Sequence, residues 1–162
     1  MIVSFLKQRV MKKLAVIIAS IVSFGFLSAQ TLNDKGLYID NEGNLFTGTI
    51  EKTQNSVKTD YTVKDGVING EATYYYASGN KMETGTFTNG LKDQKWVRFN
   101  ENGTTSAIAF YNLGKKTGTW LVFDESGKKR FEMNYTDGEK TGVWTNWDEN
   151  GAVASTKNYN PN

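Results

Sequence analysis

The chain has 162 residues, 16 of them glycine, with 13% aromatic content and a formal charge of +2, and it holds no histidine and no cysteine. Those two absences exclude serine–histidine and cysteine–histidine relays, imidazole or thiolate metal sites, iron–sulfur clusters and disulfides. Any catalysis would rest on carboxylates, lysine, tyrosine or serine, and the sequence is read as that of a non-enzyme with no cofactor and no metal.

The charge is unevenly placed. The first 29 residues carry Lys7, Arg9, Lys12 and Lys13 and no acid, so the remaining 15 basic and 17 acidic residues leave a net charge of −2. From Met11, two lysines precede an apolar stretch over 14–27 and a small residue at Ala29, the pattern of a secretory signal peptide cleaved before Gln30. Fourteen residues reach only about 21 Å as a helix, short of the roughly 20 residues a membrane span needs. Residues 1–29 are therefore expected to be a signal peptide, with Met1 or Met11 as its start, and residues 30–162 an exported domain that is periplasmic, on the outer surface or secreted. No transmembrane span is expected after cleavage. An acidic mature chain argues against nucleic acid as a partner.

Beyond the leader a single period dominates. Gly79, Gly103, Gly127 and Gly151 fall 24 residues apart, and Gly66, Gly90, Gly114 and Gly138 form a second series at the same period. Two glycine registers per period mean two turns per unit. Aromatic residues keep the same spacing, with Trp96, Trp120 and Trp144 in one row, Tyr75, Phe99, Phe123 and Trp147 in a second, and Phe87, Tyr111, Tyr135 and Tyr159 in a third. The front of the domain is a looser copy, GLYIDNEGNLFTGTI, in which Gly43 precedes Gly79 by 36 residues, so that about a dozen residues near 51–62 read as an insertion, a longer hairpin arm or a loop.

Each unit reads strand, turn, strand. In 118–135, GTWLVF is β-branched and aromatic, DESG turns, and Phe131, Met133 and Tyr135 alternate along the next strand. Aspartate or asparagine opening the turn and glycine at its positive-φ position suit a hairpin loop. Isolated two-stranded hairpins are marginal in water, so the units are expected to pair side by side. The expected fold is all-β, an elongated single antiparallel sheet of tandem hairpins, about five units of 24 residues. Trp120 and Phe123, three apart, imply either aromatic residues on both faces or a bulge or strong twist between them.

The alternation of Asp-Gly-x-Lys-x-Gly-x-Trp with an Asp-Glu-Asn-Gly turn and a strand ending in Asn-Tyr resembles the MORN repeat, in the bacterial variant class found in secreted and antitoxin-like proteins. The resemblance covers most of 36–162 and is clearest over 114–137 and 138–160. It departs at Gln94, where neighbouring copies have Gly70, Gly118 and Gly142, and at Ala72, where a tryptophan is expected. It implies a hairpin array acting as a scaffold or binding surface, with lipid association, protein assembly and toxin neutralisation as the family's known roles.

Candidate contact residues are Tyr74, Tyr76, Tyr111, Tyr135 and Trp147, set against the reading that the aromatic rows are the packing of the sheet. The acidic turns at 40–43, 124–127 and 148–151 lack the spacing of a calcium loop and are read as turn chemistry. Lys115, Lys116, Lys128, Lys129 and Arg130 leave contact with a membrane surface open, although Glu125, Glu132 and Glu139 sit among them. Glu83 and Glu132 are a conceivable glycosidase pair that no motif selects. The leading expectation is a scaffold for a partner protein or envelope component; the alternatives are a carbohydrate- or lipid-surface binder and an antitoxin or immunity protein. The oligomeric state is left open.

Overall fold

The computed structural model describes residues 30–160, and the expected signal peptide lies outside them. Among the described residues thirteen strands follow one another without a helix: β1 (Thr31–Leu32), β2 (Tyr38–Ile39), β3 (Gly48–Gln54), β4 (Val57–Lys64), β5 (Val67–Tyr75), β6 (Lys81–Thr88), β7 (Leu91–Phe99), β8 (Thr105–Asn112), β9 (Lys115–Lys116), β10 (Gly118–Phe123), β11 (Lys129–Thr136), β12 (Glu139–Trp147) and β13 (Val153–Asn158). β3 to β13 form one antiparallel sheet of 11 strands in sequence order, with β9 as the start of β10's strand, paired to β8. This is the expected single sheet of tandem hairpins.

Two kinds of turn alternate along its edges. On one edge the turns have two residues, both at positive φ, as in Asn89 (51°) and Gly90 (80°), the geometry whose twist matches that of the flanking strands. On the other edge, in the turns after β7, β10 and β12, an aspartate or asparagine side chain folds back on its own turn. The Asp124 carboxylate accepts the N–H groups of Ser126 and Lys128, both at 3.0 Å, and the Ser126 hydroxyl at 2.7 Å. Asp148 and Asp40 accept the corresponding pairs of N–H groups. Successive turns are tied together, because Asn80, Thr104 and Lys128, 24 apart, each donate to the carbonyl of the glutamate 21 residues later.

The front copy does not extend the sheet. β1 and β2 pair with each other outside the large sheet, Ile39 of β2 also bridges Leu45, and this segment folds over the first strands, with Tyr38 N–H donating to the Gly66 carbonyl at 2.8 Å and Gly66 N–H to that of Phe46 at 2.8 Å. Tyr38, Ile50 and Val63 are buried together with Phe46, Tyr61 and Ile68 packed around them. The physical reason is an end effect: the first strands have no preceding unit to cover their apolar side chains, and a terminal segment takes that place. Residues 51–62 form the distal part of the β3–β4 hairpin, closed by a two-residue turn at Asn55 (50°) and Ser56 (64°).

Fully buried side chains are few, and Trp96 is the largest, at 1% exposure. It is seated between two small residues, its cross-strand partner Ala109 and Gly85, where a Cβ would fall inside the indole ring. Trp120 and Trp144 face Met133 and Lys157 instead and remain half-buried.

Two residues sit in the left-handed region without being glycine or a usual turn former there, Gln94 (59°) and Leu113 (44°). Gln94 occupies the bulge position that glycine fills at Gly118 (62°) and Gly142 (61°), so the break in the sequence pattern leaves the backbone geometry unchanged. A side chain in that region costs about 1–2 kcal/mol, partly offset by the greater freedom of glycine when unfolded. Gln94→Gly and Leu113→Asn are each expected to stabilise the fold by about 0.5–1 kcal/mol, read as a raised midpoint in thermal or urea unfolding.

Candidate functional site: a lysine-capped aromatic spine

On one face the aromatic rows merge into a continuous spine. Along it run Tyr61, Tyr74, Phe87, Trp96, Tyr111, Trp120, Tyr135, Trp144 and Tyr159, with successive ring centroids 4.7–6.4 Å apart and mostly edge-to-face or tilted. Such pairs are each worth about 0.5–1.5 kcal/mol beyond their buried area. Each tryptophan is also locked to the backbone, its indole N–H donating to the carbonyl ten residues earlier: Trp96 to Thr86 at 3.2 Å, Trp120 to Phe110 at 3.0 Å and Trp144 to Asn134 at 3.1 Å. In the first unit, where Ala72 replaces the tryptophan, Tyr61 joins the spine from β4 and Ala72 lies buried beneath the ring layer.

Lysines cover the spine from Trp96 onward. Lys92, Lys116 and Lys140, 24 apart and four residues before each tryptophan, place their ammonium groups 3.8, 4.5 and 4.8 Å from the indole centroids and 5.0–5.5 Å from the next tyrosine. A cation over an aromatic face contributes about 0.5–1 kcal/mol at exposed sites. Their spacing was visible in the sequence; the signal missed was that a residue four before a tryptophan, across a bulge, returns over its ring. Lys92 is additionally 3.3 Å from the Glu83 carboxylate.

The candidate contact residues do not converge on one surface. Tyr74, Tyr111 and Tyr135 belong to the spine. Tyr76 spends its hydroxyl on the Phe99 carbonyl at 2.7 Å. Trp147 lies on the reverse face beneath Lys129, 4.1 Å from its centroid, and Lys129 is paired with Glu132 at 2.7 Å. Of the alternatives left open for Trp120 and Phe123, a bulge is present at Val122/Phe123, and none of Tyr75, Phe99, Phe123 and Trp147 enters the spine. The basic and acidic residues of 128–132 are thus tied to one another and to the turns.

Burial in the spine pushes the phenol pKa upward at Tyr74, Tyr111 and Tyr135, with the Tyr61 hydroxyl adding to the rise at Tyr74. The turn carboxylates move the other way. Asp40 is lowered by the Asn44 N–H and Asp124 by the Ser126 hydroxyl. Their oxygens are committed to those donors, and among the described residues no group of three or more acidic side chains could hold a metal ion. No helix among them is long and apolar enough to cross a membrane.

The model of the MORN repeat variant matches residues 68–89, 116–137 and 140–160, each one a strand–turn–strand unit of this sheet. The chain belongs to the MORN-repeat family. The MORN unit that the model passes over, between 89 and 116, is the one that carries Gln94, yet it supplies β7, β8 and the most buried tryptophan of the spine. No curated protein matches the chain.

Trp120→Phe removes the indole donor and part of the ring and leaves the Phe110 carbonyl without it. A loss of about 2 kcal/mol is expected in urea unfolding, against about 3–5 kcal/mol for Trp120→Ala. Alkaline titration provides a second check. A phenol whose folded pKa is raised holds its proton while the unfolded chain, near 10.0, releases it, so its stabilisation is complete below pH 10 and declines as pH rises through the folded value. Near-ultraviolet difference absorbance should resolve a set of tyrosines that ionises later than the rest, with the melting temperature falling over the same interval.

Proposed function

We propose that this chain is an exported, non-enzymatic scaffold that binds a partner protein or a component of the cell envelope through an open face of its sheet. The observation that carries this reading is the single-layer architecture. Among the described residues no second layer covers the 11 strands beyond the short segment over β3 and β4, so both faces of the array are open over most of its length. Sheets are ordinarily buried on at least one face, and here the aromatic spine takes over the role of a core, leaving wide surfaces of regularly spaced side chains. Repeat arrays use such surfaces to bind partners.

Export is supported by the leader pattern over 11–29 and by a mature chain free of thiols. The absence of histidine and cysteine narrows the catalytic repertoire, and the acidic turn residues are engaged within their own turns. Apolar groups remain available on the spine-bearing face, where Phe131 is 43% exposed beside Met133 and Trp144.

Site-specific photo-crosslinking in cells tests the reading. A photoreactive phenylalanine analogue is placed at Phe131 on the spine-bearing face or at Trp147 on the reverse face, and the mature N-terminus is mapped by mass spectrometry. The expected result is a chain beginning at Gln30 in the envelope or medium, with a discrete crosslinked species from one position. Retention of the leader in the cytoplasmic fraction, or the absence of any crosslinked species from both positions, contradicts it.

A further inference from the structure

The spine is uncovered at its N-terminal end. Lysines stand over Trp96, Tyr111, Trp120, Tyr135, Trp144 and Tyr159, but among the described residues none stands over Tyr61 or Tyr74. Beside these two rings the β3–β4 hairpin shapes a groove of about 390 Å³, within the range of small-ligand sites. Its polar lining is Lys52, Gln54, Asn55, Thr59, Tyr61 and Tyr74.

The strand register explains why this groove is free of acid. Lys52 lies opposite Thr59 and Thr59 opposite Tyr74, so the three form a row across β3, β4 and β5 on the spine-bearing face. Glu51 and Asp60, one residue along, form the neighbouring pair and therefore point to the reverse face. There Glu51 lies 2.7 Å from Lys58, and Asp60 accepts the Tyr75 hydroxyl at 2.8 Å. Glu83, opposite Tyr74 in the same row and on the spine-bearing face, does not line the groove, and its carboxylate is paired with Lys92 at 3.3 Å. Lys52 itself leans on the Tyr38 ring at 5.0 Å, and among the described residues it makes no ion pair. The Tyr61 and Tyr74 hydroxyls lie 3.5 Å apart, with Tyr61 donating to Tyr74.

We propose that this groove binds a carboxylate-bearing saccharide, a uronate unit of an envelope or extracellular glycan. The proposal rests on the reading of the chain as an envelope-binding scaffold and names the ligand class of that reading. Charge complementarity selects the anion, since the Lys52 ammonium group makes no ion pair among the described residues and no carboxylate lines the groove. The rest of the lining selects a sugar. Two carboxamides, a threonine hydroxyl and two phenols offer donors and acceptors at short intervals, as vicinal hydroxyls require, while Val57 and the exposed parts of the tyrosine rings meet the apolar C–H face of a pyranose. The groove also sits on a hairpin held in register over its whole length, so its polar groups are positioned before the ligand arrives.

Isothermal titration of the exported chain with a galacturonate trimer, a neutral galactose trimer and a glutamate hexapeptide decides the matter. The expected result is binding of the galacturonate trimer that weakens with added salt, no binding of the neutral trimer at the same concentrations, and weaker or no binding of the peptide. Lys52→Met should reduce affinity for the acidic sugar about tenfold, as the loss of one charge-assisted contact would. Tyr74→Phe should reduce it less, with both variants keeping the wild-type circular dichroism spectrum. Failure of the acidic trimer to bind, equal binding of the neutral trimer, or indifference to both substitutions overturns the proposal, as does peptide binding of equal strength with the same dependence on Lys52. Crosslinking from Phe131 or Trp147 in a Lys52→Met background separates this failure from that of the scaffold reading, because those positions lie outside the groove.

Discussion

The hydrogen bond from the indole N–H of Trp96, Trp120 and Trp144 to a main-chain carbonyl ten residues earlier is the constraint on which the rest of this structure depends. It joins a side chain of one strand to the backbone of the strand paired before it, and so fixes both the register of the hairpin and the tilt of the ring. Once the indole is fixed, the tyrosine that follows packs against it at 4.7–6.4 Å, and Tyr111 and Tyr135 in turn each meet the following tryptophan at 5.2 Å. One local bond, repeated every 24 residues, thereby becomes a structure that runs the length of the sheet. The lysine four residues before each tryptophan covers the ring without burying its own charge, which lets an aromatic layer stand at the surface of a single sheet.

Stability in such an array is close to a sum of unit and neighbour terms. The units here are not equal. Gly85 and Ala109 allow Trp96 to sink fully into the layer, whereas Met133 and Lys157 hold Trp120 and Trp144 higher. At the N-terminal end the segment containing Tyr38 and Phe46 closes the array over Ile50 and Val63. At the other end, the side chains of β13 are exposed along all six residues. Packing is therefore densest between β3 and β8 and thins toward β13.

Most of this architecture was legible because it is periodic. Two glycine series at one spacing imply two turns per unit, and the rows of Trp96, Trp120 and Trp144 and of Tyr111, Tyr135 and Tyr159 imply stacking between units. The turn residues likewise declared their geometry, as Asp124 and Asp148 show. Features that broke the period were harder to read. The looser copy at the front looked like one more hairpin, yet it folds over the sheet, since what decides its position is a contact between residues far apart in sequence, Tyr38 with Gly66 and Val63. Gln94 marked a lost glycine, but only the backbone shows that the bulge persists at φ 59°. The groove beside Tyr74 was not legible at all. It arises from the meeting of a shortened turn at Asn55, an alanine in place of tryptophan at position 72 and a lysine at 52 whose acidic neighbours face the other side of the sheet, none of which carries a motif.

The central claim, that indole-anchored rings serve as the core of a single-layer sheet, is tested most directly by native-state amide hydrogen exchange resolved to individual strands. The account predicts the slowest exchange in β6 to β8 around Trp96, intermediate rates in β10 to β12 around Trp120 and Trp144, and the fastest in β13. Uniform protection across all strands, or slowest exchange in β13, would contradict it.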